Sequence, residues 1–110
     1  MTTLRDFLIG AREADWLVEI DKPVDPYLEM APVIAALDGR PLLFNNVAGS
    51  EFPVLSGQCS DRRYFALALD CAVDQLVFRM ADAYSSPLQP QLVGQSDAAC
   101  QEVVMAPPDL

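Results

Sequence analysis

Three groups of side chains have the types and spacing to do chemistry. Asp21, Asp25 and Glu29 recur at four-residue intervals, with Lys22 among them. Carboxylates grouped in this way are hard oxygen donors that suit a divalent cation. Asn45 and Asn46 close an apolar run and can present amides at a strand end, a common place for ligands in α/β folds. Cys59 follows Gly57-Gln58 and precedes a predicted helix start, a position that favours a nucleophilic thiolate.

Each group also has a local structural role, and in each case that role outweighs the chemical one. Asp25 is a natural helix N-cap, and Glu29 falls in the first helical turn, where the dipole favours an acid. Asparagine side chains satisfy turn backbone. Cys59 has acidic Asp61 nearby and no histidine to serve it, because the chain contains none. That absence removes Ser-His-Asp and Cys-His catalysis. Gly10, Gly39, Gly49, Gly57 and Gly94 match neither phosphate-loop nor dinucleotide spacing. Cys59, Cys71 and Cys100 are odd in number and lack CxxC spacing. A zinc site would therefore need all three thiolates plus a carboxylate. No catalytic, cofactor-binding or metal-ligating residue is assigned to this chain.

The 110 residues make one small domain. A chain of this size buries roughly 65% of its unfolded surface, enough for a single core. Hydrophobic residues at 52% and charged residues at 21% fit a folded globular piece. Sixteen acidic residues against seven basic ones give a net charge of −9, and Arg62-Arg63 is the one adjacent basic pair. Nucleic acid and anionic membrane surfaces are disfavoured partners. The first residues, Met1-Thr2-Thr3-Leu4-Arg5-Asp6, lack the pattern of a signal peptide. No apolar run reaches the roughly 20 residues of a membrane span. A cytoplasmic protein with reduced, mostly buried thiols is expected.

Several elements must position these residues. Leu4, Phe7, Leu8 and Ala11 form one helical face, with Thr3 as N-cap and Asp6 completing a capping box. The helix should end between Glu13 and Trp16. Residues 17–20 predict a short strand. Pro23 and Pro26 make the next stretch an extended turn. A second helix is predicted over 26–37, capped by Asp25 and stopped near Gly39, with Pro32 either kinking it or delaying its regular part. Residues 41–47 predict a buried strand and residues 52–57 a strand near an edge, because of Pro53. These two strands either pair as a hairpin or flank another strand. Ser60 or Asp61 caps a helix to about Leu69, and a further helix is predicted over 74–84. A loop follows over 85–90, then an extended stretch at 91–93 and a last strand over 101–105. The order predicts a mixed α/β layer structure, with α+β as the variant: a small mixed sheet flanked by helices.

Leu4-Arg5-Asp6-Phe7-Leu8, Leu17-Val18-Glu19-Ile20-Asp21, Pro23-Val24-Asp25-Pro26 and Leu28-Glu29 open an ordered series. Pro41-Leu42-Leu43-Phe44, Asn46-Val47, Gly49-Ser50, Phe52-Pro53-Val54-Leu55, Ala66-Leu67-Ala68-Leu69 and Cys100-Gln101-Glu102-Val103-Val104 complete it. The series resembles the start of the UbiD family of carboxy-lyases, the 3-octaprenyl-4-hydroxybenzoate carboxy-lyase-like decarboxylases. It departs from the family pattern in three places. Asn45 stands where Glu is common, Ser56-Gly57-Gln58-Cys59 replaces a Gly-Asn-containing stretch, and Asp70 sits where Gly often follows.

The resemblance implies a UbiD-like N-terminal α/β domain over 1–96. Residues 97–110 would then be the first strand and tail leading into a central split-barrel domain. It implies that the whole enzyme releases carbon dioxide from an aromatic or α,β-unsaturated acid. The enzyme would use prenylated FMN with manganese and potassium, on a Glu-Arg-Glu network outside these 110 residues. Partners would be the central and C-terminal domains or a partner subunit, in a homo-oligomer. The chain alone should be inactive. The alternatives are a stand-alone interaction module, a subunit of a split decarboxylase, or a small acidic binding protein unrelated to decarboxylation.

Overall fold

The computed structural model describes residues 3–94 and 97–98. The strand expected over 101–105, the tail and Cys100 lie outside the described residues.

Helix α1 spans Leu4–Glu13. Its capping box forms as the sequence predicts: the Asp6 amide donates to the Thr3 hydroxyl at 3.2 Å, and the Thr3 amide donates to the Asp6 carboxylate at 2.9 Å. The helix stops where Asp15 takes a left-handed φ of +57°, a conformation acidic and amide side chains tolerate better than most. The chain then enters strand β1, Val18–Ile20.

The second helix, α2, is shorter than predicted, at Met30–Ala36. Residues 26–29 form a turn instead. Of the two outcomes left open for Pro32, delay is the one observed. The proline sits in the first turn of α2, where a missing N–H has no intrahelical acceptor to lose. Asp25 consequently caps the turn rather than the helix, accepting from the Tyr27 amide at 2.8 Å.

Strand β2, Leu42–Phe44, lies at the centre of a three-stranded sheet. It pairs parallel with β1 and antiparallel with β3, Val54–Ser56. Of the two arrangements open for β2 and β3, direct pairing is the one formed, and β3 lies at an edge as Pro53 implied. All three β2 residues are buried, as expected for an apolar run covered on both faces. A bridge between Val24 and Val47 extends the parallel pairing past the strand ends.

The two faces of the sheet carry two clusters. Leu42, Phe44, Val24 and Val47 pack under Val33, Ile34 and Leu37 of the crossover. Phe7, Ala11 and Tyr64 pack with Trp16, Leu55 and Leu67. Tyr64 and Leu67 belong to α3, Arg62–Ala68, whose N-cap Asp61 accepts from the Arg63 amide. A Cβ on Gly10 would lie 2.9 Å from a Leu67 methyl, so glycine permits α1 and α3 their close approach. Past α3, Asp70 has φ +51°, which explains why glycine suits this position in the family pattern. A 3₁₀ turn at Val73–Gln75 then leads into α4, Leu76–Ser85. Residues 91–93 join no strand. The small mixed sheet with flanking helices agrees with the predicted fold class.

Candidate functional site

The parallel strands β1 and β2 end side by side, which brings Asp21 and Asn45 together. The Asn45 amide nitrogen donates to the Asp21 carboxylate at 2.7 Å, and the Asn45 backbone N–H donates to the Ile20 carbonyl at 3.0 Å. This side chain is therefore directed at its neighbour strand, and it bonds a distant carboxylate rather than the local turn backbone the sequence favoured. The other two acids of the spaced set are also occupied. Glu29 accepts from the Asp25 amide at 3.0 Å, and Asp25 accepts from Tyr27. The structure joins Asp25 to Glu29 and Asp21 to Asn45, and it makes no cation cage of them. Among the described residues, no three acids, cysteines or histidines are grouped to hold a metal ion.

Next to these strand ends lies a hollow of about 420 Å³. Ile20, Val24, Leu28, Val33 and Phe44 make its walls apolar, and Lys22 and Glu29 stand at its polar margin. The sequence reading missed this hollow. Its signal lay in Pro23 and Pro32, which both line it. The place is where parallel α/β units commonly bind ligands, at the carboxyl ends of the strands.

Cys59 is exposed and Cys71 half-buried, so the expectation of mostly buried thiols is corrected for these two. The physical reason for Cys59 is local. It lies in the turn before α3, which is held by the Ser60 hydroxyl donating to the Gly57 carbonyl at 2.7 Å, and this turn projects the thiol outward. A hollow of about 320 Å³ lined by Phe7, Tyr64 and Phe65 adjoins it. No basic partner is hydrogen-bonded to Cys59 among the described residues.

The strongest electrostatic features are caps. Asp6 is held below the ordinary carboxylate value, first by the Thr3 hydroxyl and then by the Thr3 amide. Asp61 is lowered chiefly by the Arg63 side chain, and Arg63 is raised by Asp61 in return. The Arg63 guanidinium also lies 5.5 Å from the Trp16 ring centre. Arg12 pairs with Glu19, joining α1 to β1. These groups hold helix ends and element junctions together, and none faces an enclosed space.

The described residues do not fit a flavin phosphate with its metal ions. No buried side-chain nitrogen or oxygen among the described residues is left without a partner. Gly39 and Gly49, which have open space around them, sit in separate turns, so they build no run of amides converging on an anion among the described residues. What the arrangement can do is offer an apolar wall and rigid helix ends.

Comparison with known proteins places this geometry. Residues 11–84 match the family model described as the 3-octaprenyl-4-hydroxybenzoate carboxy-lyase N-terminal domain. The chain is 30% identical over 94 residues to anhydromevalonate phosphate decarboxylase of Methanothermobacter thermautotrophicus, covering 86% of this chain and 22% of that one. It is 34% identical over 89 residues to a 4-hydroxybenzoate decarboxylase component of Chlamydia pneumoniae, covering 78% of this chain and 15% of the relative. Among solved structures, the UbiD-class enzyme HmfF of Pelotomaculum thermopropionicum in complex with FMN superposes with a TM-score of 0.72 at 34% identity. That match covers 82% of this chain and 20% of HmfF. An evolved dimeric form of HmfF with prFMN gives a TM-score of 0.74 at 32% identity, covering 88% and 23%. The chain thus spans between 15% and 23% of the length of these proteins. With sequence, fold and coverage in agreement, this chain belongs to the UbiD family, as its N-terminal domain.

Proposed function

We propose that this chain is the non-catalytic N-terminal domain of a UbiD-type non-oxidative decarboxylase acting on an aromatic or α,β-unsaturated carboxylic acid. The observation that carries the reading is the pairing of a family match over 11–84 with a set of polar groups already used in caps and turns. The reaction centre, with prenylated FMN, manganese and potassium, belongs to the remainder of such an enzyme. The domain proper covers 1–96, and 97–110 leads into the next domain. The whole protein is a cytoplasmic homo-oligomer. No helix among the described residues is long and apolar enough to cross a membrane.

The domain's role is to pack on the flavin-binding body and wall the substrate cleft, since sites form readily between domains. The apolar hollow at the ends of β1 and β2 suits that wall. The test is a full-length chimera in which this chain replaces the matching fifth of HmfF. The chimera is expected to retain FMN, whereas the free chain retains none. A folded chimera without FMN would contradict the reading.

A further inference from the structure

The helix α4 is apolar without being buried. Leu76, Val77, Met80 and Tyr84 share one of its faces, at i, i+1, i+4 and i+8. Leu76 is 4% exposed, whereas Val77, Met80 and Tyr84 are 56%, 54% and 90% exposed. Every residue from Val77 to Gly94 is exposed, Leu88 and Leu92 almost completely. A groove of about 550 Å³ runs beside this face, between Leu69, Met80, Ala83 and Leu88. A ten-residue helix with only its first residue buried is marginal in water, and a contiguous apolar stripe of this kind marks an interaction surface.

The occupant follows from charge and from coverage. The chain carries sixteen acidic residues against seven basic ones, and Arg79 is the only basic residue of α4. A second copy would bring the same acids and another net charge of −9 against them, which disfavours self-association. The family match runs through residue 84 and so includes most of α4, and the related enzymes extend well beyond the matched segment.

We infer that the Val77–Met80–Tyr84 face of α4, with its groove and Leu88, docks on an apolar surface of the flavin-binding body of a UbiD-type decarboxylase. This inference rests on the reading of the preceding section and adds the surface through which the domain is held.

The test is hydrogen exchange on the 110-residue chain and on the HmfF chimera. The free chain should be monomeric by sedimentation. The α4 amides from Arg79 to Tyr84 should exchange at least about tenfold more slowly in the chimera than in the free chain. Val77→Asp with Met80→Asp should remove that protection, and Ile9→Asp, on the exposed side of α1, should leave it. An FMN-loaded chimera whose α4 exchanges as fast as in the free chain overturns the docking surface and leaves the family reading intact. A folded chimera without FMN sinks both. A free chain that dimerises, and loses the dimer with the double substitution, assigns the face to a second copy and overturns the proposal.

Discussion

The Tyr64 hydroxyl donates a 2.7 Å hydrogen bond to the Gly39 carbonyl, tying α3 to the end of the β1–β2 crossover. Tyr64 is 2% exposed, and its ring meets Phe7 edge-on at 6.4 Å and Trp16 at 5.6 Å. One side chain thus joins α1, α3 and the crossover. Tyr64→Phe keeps the ring contacts and leaves the carbonyl without its donor. It should lower unfolding stability by about 1 kcal/mol. Tyr64→Ala also opens a cavity and should cost about 3–5 kcal/mol. Urea unfolding followed by tryptophan fluorescence measures both. A Tyr64→Phe variant as stable as the parent would contradict the assigned hydrogen bond, and equal losses for the two variants would contradict the packing role of the ring.

Gly39 and Gly57 separate backbone strain from steric exclusion. Both have positive φ, +82° and +76°. A Cβ at Gly39 meets nothing within 4 Å, whereas one at Gly57 would sit 2.2 Å from the Arg40 carbonyl oxygen. Gly39→Ala should destabilise by about 1 kcal/mol through strain alone. Gly57→Ala should add a further 1–3 kcal/mol, roughly, because backbone must move. Comparable urea midpoints for the two variants would refute this distinction.

At Asp70, φ is +51°, and the side chain is exposed to solvent, so burial offers no compensation for the backbone strain. The added unfolded-state entropy of glycine offsets part of the relieved strain, so Asp70→Gly should stabilise the domain by about 0.5 kcal/mol. A lower melting temperature for that variant would show that the aspartate has a stabilising partner.

The pH dependence follows from two caps. Asp6 and Asp61 both titrate below 3.8 in the folded protein. As pH falls through that value, the unfolded chain takes up these protons before the folded one does. Stability is therefore complete above the unfolded value and is lost as pH falls through the folded values. Asp61→Asn should flatten the dependence of the urea midpoint on pH below about 4. An unchanged slope would place the acid sensitivity in other carboxylates.

How far the sequence reaches depends on whether local chemistry decides the outcome. The capping box at Thr3 and Asp6, the Asp61 cap and the edge position implied by Pro53 all follow from neighbours in the chain. The length of α2 does not, because Pro32 left two outcomes and the packing of Val33 and Ile34 on Phe44 accompanies the shorter one. The pairing of Asp21 with Asn45 spans 24 residues and depends on the parallel register of β1 and β2, which no local signal sets. The helical spacing of Leu76, Val77, Met80 and Tyr84 is legible in the chain, but spacing cannot tell whether a face is covered by its own domain or by another.

The most direct test of the account is flavin binding by the purified 110-residue chain. Gel filtration after incubation with excess FMN, manganese and potassium should leave the chain colourless, and no carbon dioxide should be released from an aromatic or acrylic acid. A chain that emerges with one flavin per polypeptide, or that decarboxylates such an acid unaided, would contradict the claim that its reaction centre lies elsewhere.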